Sequence, residues 1–392
     1  MRTGREPVLP ALRLPITWVR VARPVVACVL GTRPEAIKMA PVVLALRTLG
    51  TLEAPILSTG QHRDIVRPAL AAFGLEPDVD LEGMTPGQSL AEVTRRALEG
   101  LDRLFSEAPP AMVVAQGDTT TVFAAALAAF YRRIPFAHVE AGLRTASIGD
   151  PFPEEFNRRV AGLVAALHFA PTEWAAENLR REGKTPSTIE VTGNTGIDAV
   201  LRIAALPRLD GAGEEWYGET TERILLLTTH RRENWGEPQL RIARAARRLV
   251  ESTPDLRLVV AMHPNPHVRA TLRSVLDDSP RTDLIEPPEY MRFVKLIQRS
   301  YMVLTDSGGL QEEAPAFGKP VLVLRESTER PEGVHAGTAR LVGTDEEAIF
   351  SAALPLLNDP VAYGVMARAS SPYGDGHAAE RIAARIAHHL GV

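Results

Sequence analysis

Residues 25–49 read VVACVLGTRPEAIKMAPVVLALRTL. The apolar run Val25–Leu30 has the length of a buried strand. Gly31 then permits a tight turn, and Pro34 suits the first position of a helix, where its missing N–H is not needed. Ala40–Leu49 continues as a helical stretch. Strand, glycine turn and helix in that order open a βαβ unit.

The same order repeats outward. Strand candidates follow at Pro55–Ser58, Met112–Gln116, Phe136–Val139, Phe169–Pro171 and Ile189–Val191, separated by helical stretches such as Leu90–Phe105, Thr121–Arg132 and Glu155–Leu167. A second series runs through Arg223–Leu227, Arg257–Met262, Leu284–Ile285, Met302–Thr305, Pro320–Leu324 and Ala339–Leu341. Two such series predict an α/β protein of two doubly wound, Rossmann-like domains whose parallel sheets face each other across a cleft. The turn residues Gly193-Asn194-Thr195-Gly196 mark the boundary. The expected division is a loosely attached extension over 1–24, a first domain over 25–193 and a second over 194–375. The helical tail 376–392 carries one apolar stripe (Ile382, Ile386, Leu390) and is expected to return to the first domain.

Composition narrows the function classes. With 45% hydrophobic and 23% charged residues the chain is globular rather than disordered. A formal net charge of -4 argues against unspecific nucleic-acid binding. The single cysteine, Cys28, excludes an intrachain disulfide framework. The longest apolar run, Val122–Tyr131, falls short of the ~18 residues a membrane span needs. A cytoplasmic protein with neither membrane nor nucleic-acid partner is the expectation. Up to Pro24 there are five arginines and one acid but no serine, which fits an early start codon or loose extension better than a targeting signal.

In open parallel sheets ligands bind beyond the carboxyl ends of the strands, so polar motifs at strand ends carry the functional reading. Gly31-Thr32-Arg33-Pro34-Glu35 offers Arg33 as a phosphate fork, with Lys38 one turn on. Gln116-Gly117-Asp118 places Asp118 where a strand ends, although an aspartate there is equally a helix cap. In His138-Val139-Glu140, spacing of two puts His138 and Glu140 on one strand face. Pro153-Glu154-Glu155 adds carboxylates at a helix start, where Glu155 could simply favour the helix N-terminus. Asp118, Glu140 and Glu154 on one rim would permit general acid/base work.

The second half supplies His230-Arg231-Arg232-Glu233-Asn234 and His263-Pro264-Asn265, each after a strand. Its sharpest motif is Thr305-Asp306-Ser307-Gly308-Gly309-Leu310-Gln311-Glu312-Glu313. Open amides at Ser307, Gly308 and Gly309 suit a pyrophosphate, and Glu313 can accept two ribose hydroxyls. No dinucleotide fingerprint follows a strand, and neither a P-loop nor a HExxH zinc motif occurs. No cofactor or metal is therefore expected.

The segments GTRPEAIKMAP (31–41), QGDTTT (116–121), HVEAGLRT (138–145), PFPEEFNRR (151–159), TGNTGIDA (192–199), HRREN (230–234), TDSGGLQEEAP (305–315) and GKPVLVLRESTERPE (318–332), in this order, resemble the non-hydrolysing UDP-N-acetylglucosamine 2-epimerases. The resemblance runs from about residue 25 to the C-terminus. It implies a GT-B fold and reversible conversion of UDP-N-acetylglucosamine to UDP-N-acetylmannosamine for bacterial surface polysaccharides. It further implies that UDP departs and returns through 2-acetamidoglucal, and that the protein is a homodimer. By the same resemblance Asp118, Glu140 and Glu154 do the proton work, and Arg33, Lys38, His230 and Arg330 surround phosphates and sugar. Ser307, Gly308, Gly309 and Glu313 would hold diphosphate and ribose, with Phe293 near the uracil. Gln61, Arg63, Arg231 and His263 are candidates for an activator site, which Asp64 would weaken by replacing a familiar longer side chain. The alternatives are a hydrolysing 2-epimerase releasing N-acetylmannosamine, a GT-B glycosyltransferase, and a silent nucleotide-sugar sensor.

Overall fold

The computed structural model describes residues 23–60, 63–81, 87–206 and 220–392; the rest of the expected N-terminal extension and Gln61 lie outside the described residues. The apolar runs of the first half form a seven-stranded sheet of β1 Val26–Leu30, β2 Ile56–Ser58, β3 Val79–Asp80, β4 Met112–Gln116, β5 Phe136–Val139, β6 Leu167–Ala170 and β7 Ile189–Val191. Those of the second half form a six-stranded sheet of β8 Arg223–Thr228, β9 Leu256–Ala261, β10 Thr282–Ile285, β11 Met302–Thr305, β12 Val321–Val323 and β13 Ala339–Leu341. All pairings within both sheets are parallel. This is the two-domain GT-B arrangement that the sequence predicts.

Both sheets are covered by helices on both faces, which is why β1 and β4 are apolar without alternation and wholly buried. One face of the first sheet packs on the helix Arg33–Leu49, the other on Leu90–Glu107 and Thr120–Tyr131. Strand order is β3-β2-β1-β4-β5-β6-β7 and β10-β9-β8-β11-β12-β13. The order in which successive strands are added therefore reverses between β1 and β4, and again between β8 and β11. Crevices at the carboxyl ends of those strand pairs are where this topology leaves room for ligands.

The tail helix Ala378–Leu390 packs against Arg33–Leu49 and Thr195–Ala205, burying Ile382 and Ile386 in the first domain's core. Thr195–Ala205 lies past the sequence boundary, yet it buries Ala199, Val200 and Ile203 in the same core. The chain passages that lead into these two helices touch. A Cβ built on either Gly193 or Gly374 would stand 3.2 Å from the other's Cα, and both residues have positive φ. The Asn194 amide donates to the Tyr373 carbonyl at 2.7 Å beside them.

Some boundaries differ from the sequence reading. The helix expected over Glu155–Leu167 stops at Val164, because Leu167 begins β6. The first helix begins at Arg33, so Pro34 occupies its second position. Val122–Tyr131 lies within the helix Thr120–Tyr131, largely buried up to Ala129, and among the described residues no single helix is long and apolar enough to cross a membrane.

Candidate active site

A cleft of ≈ 860 Å³ opens at the carboxyl ends of the strands. The first domain lines it with Lys38, Gln116, Asp118, Glu140, Arg144 and Arg158; the second contributes Arg231, Arg325, Glu329 and Arg330. Gly31 makes the first loop possible. A Cβ there would fall 2.2 Å from Thr121 Oγ1 and 2.3 Å from Thr59 Oγ1, whose hydroxyls are 2.9 Å apart beneath it. Glu35 then ties this loop to the one after β4, accepting from the Gly31 and Thr32 amides at 2.8 and 2.7 Å and from the Thr119 hydroxyl.

Asp118 does not cap the following helix. Thr119 does, accepting from the Val122 amide. The Asp118 carboxylate instead meets Arg158 Nη2 at 2.5 Å, while its backbone carbonyl accepts from Asn157 Nδ2 at 2.9 Å. Burial raises its pKa above the ordinary aspartate value, against the opposing charge of Arg158, and Glu140 and Glu154 add to the rise.

Glu140 stands just beyond β5 with φ 62°, in the left-handed region. That conformation breaks strand alternation, so Glu140 lines the cleft while His138 lies in the core, wholly buried. His138 Nε2 donates to the Gly117 carbonyl at 2.7 Å, and burial pushes its pKa down to about 4. Glu140 Oε1 is 2.6 Å from Lys38 Nζ, and Oε2 accepts from Gln116. Burial works against the charge on Glu140. Lys38, with Arg330 and Arg158 farther off, nevertheless holds its pKa below the usual carboxylate value. Two neighbouring carboxyl groups are thus driven in opposite directions.

Glu154 opens the helix Glu154–Val164 close enough to Asp118 to act on its charge, but does not line the cleft. Its neighbour Glu155 is wholly buried and pairs with Arg159 at 2.7 Å, accepting also from the Thr145 amide at 3.1 Å. The sequence offered helix-end stabilisation for Glu155. The fold uses it to fasten a loop.

Across the cleft, Asp306 at the end of β11 is buried and collects Thr229 Oγ1, the amides of His230 and Arg231, and Asn234 Nδ2, all within 3.1 Å. Its Oδ1 also lies 2.9 Å from His230 Nδ1, which aims the imidazole. Burial opposes the charge of Asp306, yet these donors hold its pKa below the usual value. His230 stacks on His263 with ring centroids 6.1 Å apart. Arg330 pairs through Nε with Glu312 at 2.7 Å and lies over Gly308, where an added Cβ would come within 2.9 Å of its guanidinium. Glu312 also accepts from Asn194 Nδ2 at 2.8 Å.

Of the three amides expected to be open, that of Ser307 is engaged by Thr305 Oγ1 at 2.9 Å. Burial, with Glu312 beside it, lifts Glu313 to a pKa of about 8. Phe293 packs partly buried on the second domain's core. The structure thus brings Lys38, Asp118, Glu140, Arg231 and Arg330 to one cleft, whereas Arg33 is exposed and is not among its lining residues. His230, His263, Phe293, Ser307, Gly308, Gly309 and Glu313 do not line it either. Arg63 begins the helix Arg63–Ala71, with its side chain outside the described residues.

Sequence reasoning missed Arg158 and Asp306 as partners of predicted site residues, although both stand inside quoted motifs. The available hint was spacing: Arg158 follows Glu154 by one helical turn, on the face turned to Asp118. Among the described residues no group of three His, Cys, Asp or Glu side chains is arranged to hold a metal ion.

A family model described as UDP-N-acetylglucosamine 2-epimerase matches residues 44–387. A Bacillus subtilis relative of that name is 50% identical over 370 residues, 93% of this chain and 96% of the relative. A Neisseria meningitidis UDP-GlcNAc 2-epimerase structure bound to UDP-GlcNAc is 41% identical with a TM-score of 0.83, covering 93% of this chain and all of that one. A Staphylococcus aureus MnaA structure with UDP is 45% identical with a TM-score of 0.82, covering 94% and 97%.

Proposed function

Because the chain belongs to the UDP-N-acetylglucosamine 2-epimerase family, we propose that it interconverts UDP-N-acetylglucosamine and UDP-N-acetylmannosamine without hydrolysing either. The hydrogen on C2 of the sugar is not acidic, since no carbonyl stands beside it. Elimination avoids that obstacle. A base takes the C2 proton as the C1–O bond breaks, giving 2-acetamidoglucal and UDP. Re-addition returns UDP to C1 while a proton is delivered to the opposite face of C2.

One observation carries this reading: Asp118 and Glu140 line one cleft with pKa values displaced in opposite directions. Carboxyl groups separated in this way serve as a proton holder and a proton acceptor at one pH. Glu154 acts with them from the rim. Lys38 and Arg330, together with Arg33 and His230, stabilise the departing diphosphate. Ser307, Gly308, Gly309 and Glu313 hold the nucleotide, and Phe293 lies towards the base. Gln61, Arg63, Arg231 and His263 remain the candidates for an activator subsite, which would share Arg231 with the cleft. The reaction needs no added cofactor and supplies an activated amino sugar for surface polysaccharide in the cytoplasm.

We further assign a homodimer, supported by the outer face of the first domain. Phe123 and Phe156 touch with centroids 5.7 Å apart, and Phe130 and Leu163 each follow one of them by seven residues along neighbouring helices. Phe130, Tyr131, Phe156 and Leu163 are all exposed there, an apolar patch of the kind that partners cover.

Incubation with UDP-N-acetylglucosamine in heavy water tests the chemistry. NMR should show the manno epimer, still joined to UDP, with deuterium at C2. Free N-acetylmannosamine as the first product would instead mean hydrolysis, and retention of the original hydrogen would exclude the elimination route.

A further inference from the structure

Three guanidinium groups on the second domain's wall of the cleft converge on one carboxylate. Glu329 lies 2.9 Å from Arg231 Nη2, 2.6 Å from Arg325 Nη1 and 3.0 Å from Arg330 Nη1. All four residues line the cavity. Such a carboxylate either builds the arginine cluster or occupies it.

The opposite ends of the arginines decide between these roles. Arg325 is held through Nε by Glu233 at 2.8 Å, and Arg330 through Nε by Glu312 at 2.7 Å above Gly308. Each therefore has an anchor besides Glu329, which takes one Nη of each. Arg231 pairs with Glu329, and its buried Nε has no partner. Carboxylate and phosphoryl oxygens are interchangeable acceptors for such forks.

We propose that Glu329 is an internal counter-ion: it stands in for phosphoryl oxygens on Arg231, Arg325 and Arg330 while the cleft is empty, and an incoming diphosphate displaces it. The inference rests on the reading of the cleft as a nucleoside-diphosphate site and adds to it a residue that limits how tightly UDP is held. Glu329 is placed to yield. It sits in the irregular segment between β12 and the helix Pro331–His335, with its side chain 36% exposed. The segment itself is anchored beside it by Thr328 Oγ1 on Gln311 Oε1 at 2.7 Å. Burial opposes its charge, but Arg330 and Arg325 hold its pKa at about 2, so only substitution, not pH, removes the anion near neutrality.

Calorimetric titration of wild type, Glu329→Gln and Glu329→Asp with UDP and with inorganic pyrophosphate tests this, with circular dichroism confirming folding. Removing a competing, partly screened charge tightens both ligands on Glu329→Gln by roughly fivefold or more. Glu329→Asp, whose shorter arm cannot span three arginines, changes in the same direction. A purely structural carboxylate would give weaker binding in both variants. Equal or weaker binding in the variants, with UDP bound by wild type, overturns the counter-ion and leaves the nucleotide reading intact. If no form of the protein binds UDP or pyrophosphate, the nucleotide reading falls and the counter-ion with it.

Discussion

Oδ2 of Asp118, on the loop after β4, lies 2.5 Å from Nη2 of Arg158, on the helix Glu154–Val164. The two side chains are 27% and 11% exposed, so the contact is largely withdrawn from water. Asp118 lines the cleft, and Arg158 is the cation that restrains its burial-driven rise in pKa.

Removing that restraint should therefore be visible in a pH profile. Arg158→Met lets the Asp118 pKa climb further, so, with Asp118 as the proton holder, the alkaline limb of kcat/KM moves to higher pH. Asp118→Asn lowers kcat by about 100-fold or more, within the range of general acid/base catalysis, while UDP affinity measured by calorimetry stays nearly unchanged. A variant with near-normal turnover would remove Asp118 from the proton pathway.

Lys38 and Glu140 form a mostly buried pair, 19% and 9% exposed. Lys38→Met leaves the carboxylate unpaired, at a cost of about 3 kcal/mol in unfolding free energy, at the low end for broken buried pairs. Adding Glu140→Gln to that variant should recover part of the loss, read by chemical denaturation, while activity stays absent. A double variant no more stable than Lys38→Met would show that the ion pair does not govern stability here.

Glu313 provides a pH signature of its own. Its folded pKa of about 8 stands above the ordinary glutamate value. The folded state therefore holds a proton that the unfolded state loses, and the associated stability is full at low pH and disappears as pH rises through the folded pKa. Between about pH 5 and pH 9 the Tm of wild type should fall more than that of Glu313→Gln. If Glu313 accepts ribose hydroxyls as an anion, UDP binding to wild type also releases a proton near pH 7, measurable in buffers of different ionisation enthalpy.

The exposed aromatic face predicts the oligomer. Phe130→Glu with Leu163→Glu inserts charge into the proposed interface, and light scattering should report a dimer for wild type and a monomer for this variant. Since both residues are exposed in the single chain, 59% and 72%, the Tm extrapolated to low protein concentration should change little.

Nearly all of the fold is legible in the sequence because its strands are buried on both faces and announce themselves as short apolar runs. Val79–Asp80 escapes, since two residues carry no periodicity. The overrun at Leu167 has a related cause: an apolar residue serves a helix or a buried strand equally well, and no turn residue separates Val164 from β6. Asp118 and Glu140, which line the cleft, are legible as candidates by position at strand ends. Their division of labour is less so, because it depends on contacts far apart in the chain. Thr119 rather than Asp118 caps its helix, and Asp306 meets His230 across 76 residues of sequence. The assignment of Thr195–Ala205 to the first core is another long-range outcome, set by the helix Arg33–Leu49 and the tail helix together.

Gly193 and Gly374 lay the backbone that leads into the helix Thr195–Ala205 and the backbone that leads into the tail helix side by side, with no side chain between them. Both helices pack in the core of the first half of the molecule. The chain thus ends by returning to a seam it made midway, and the interior of the first half is complete only once the last residues are in place.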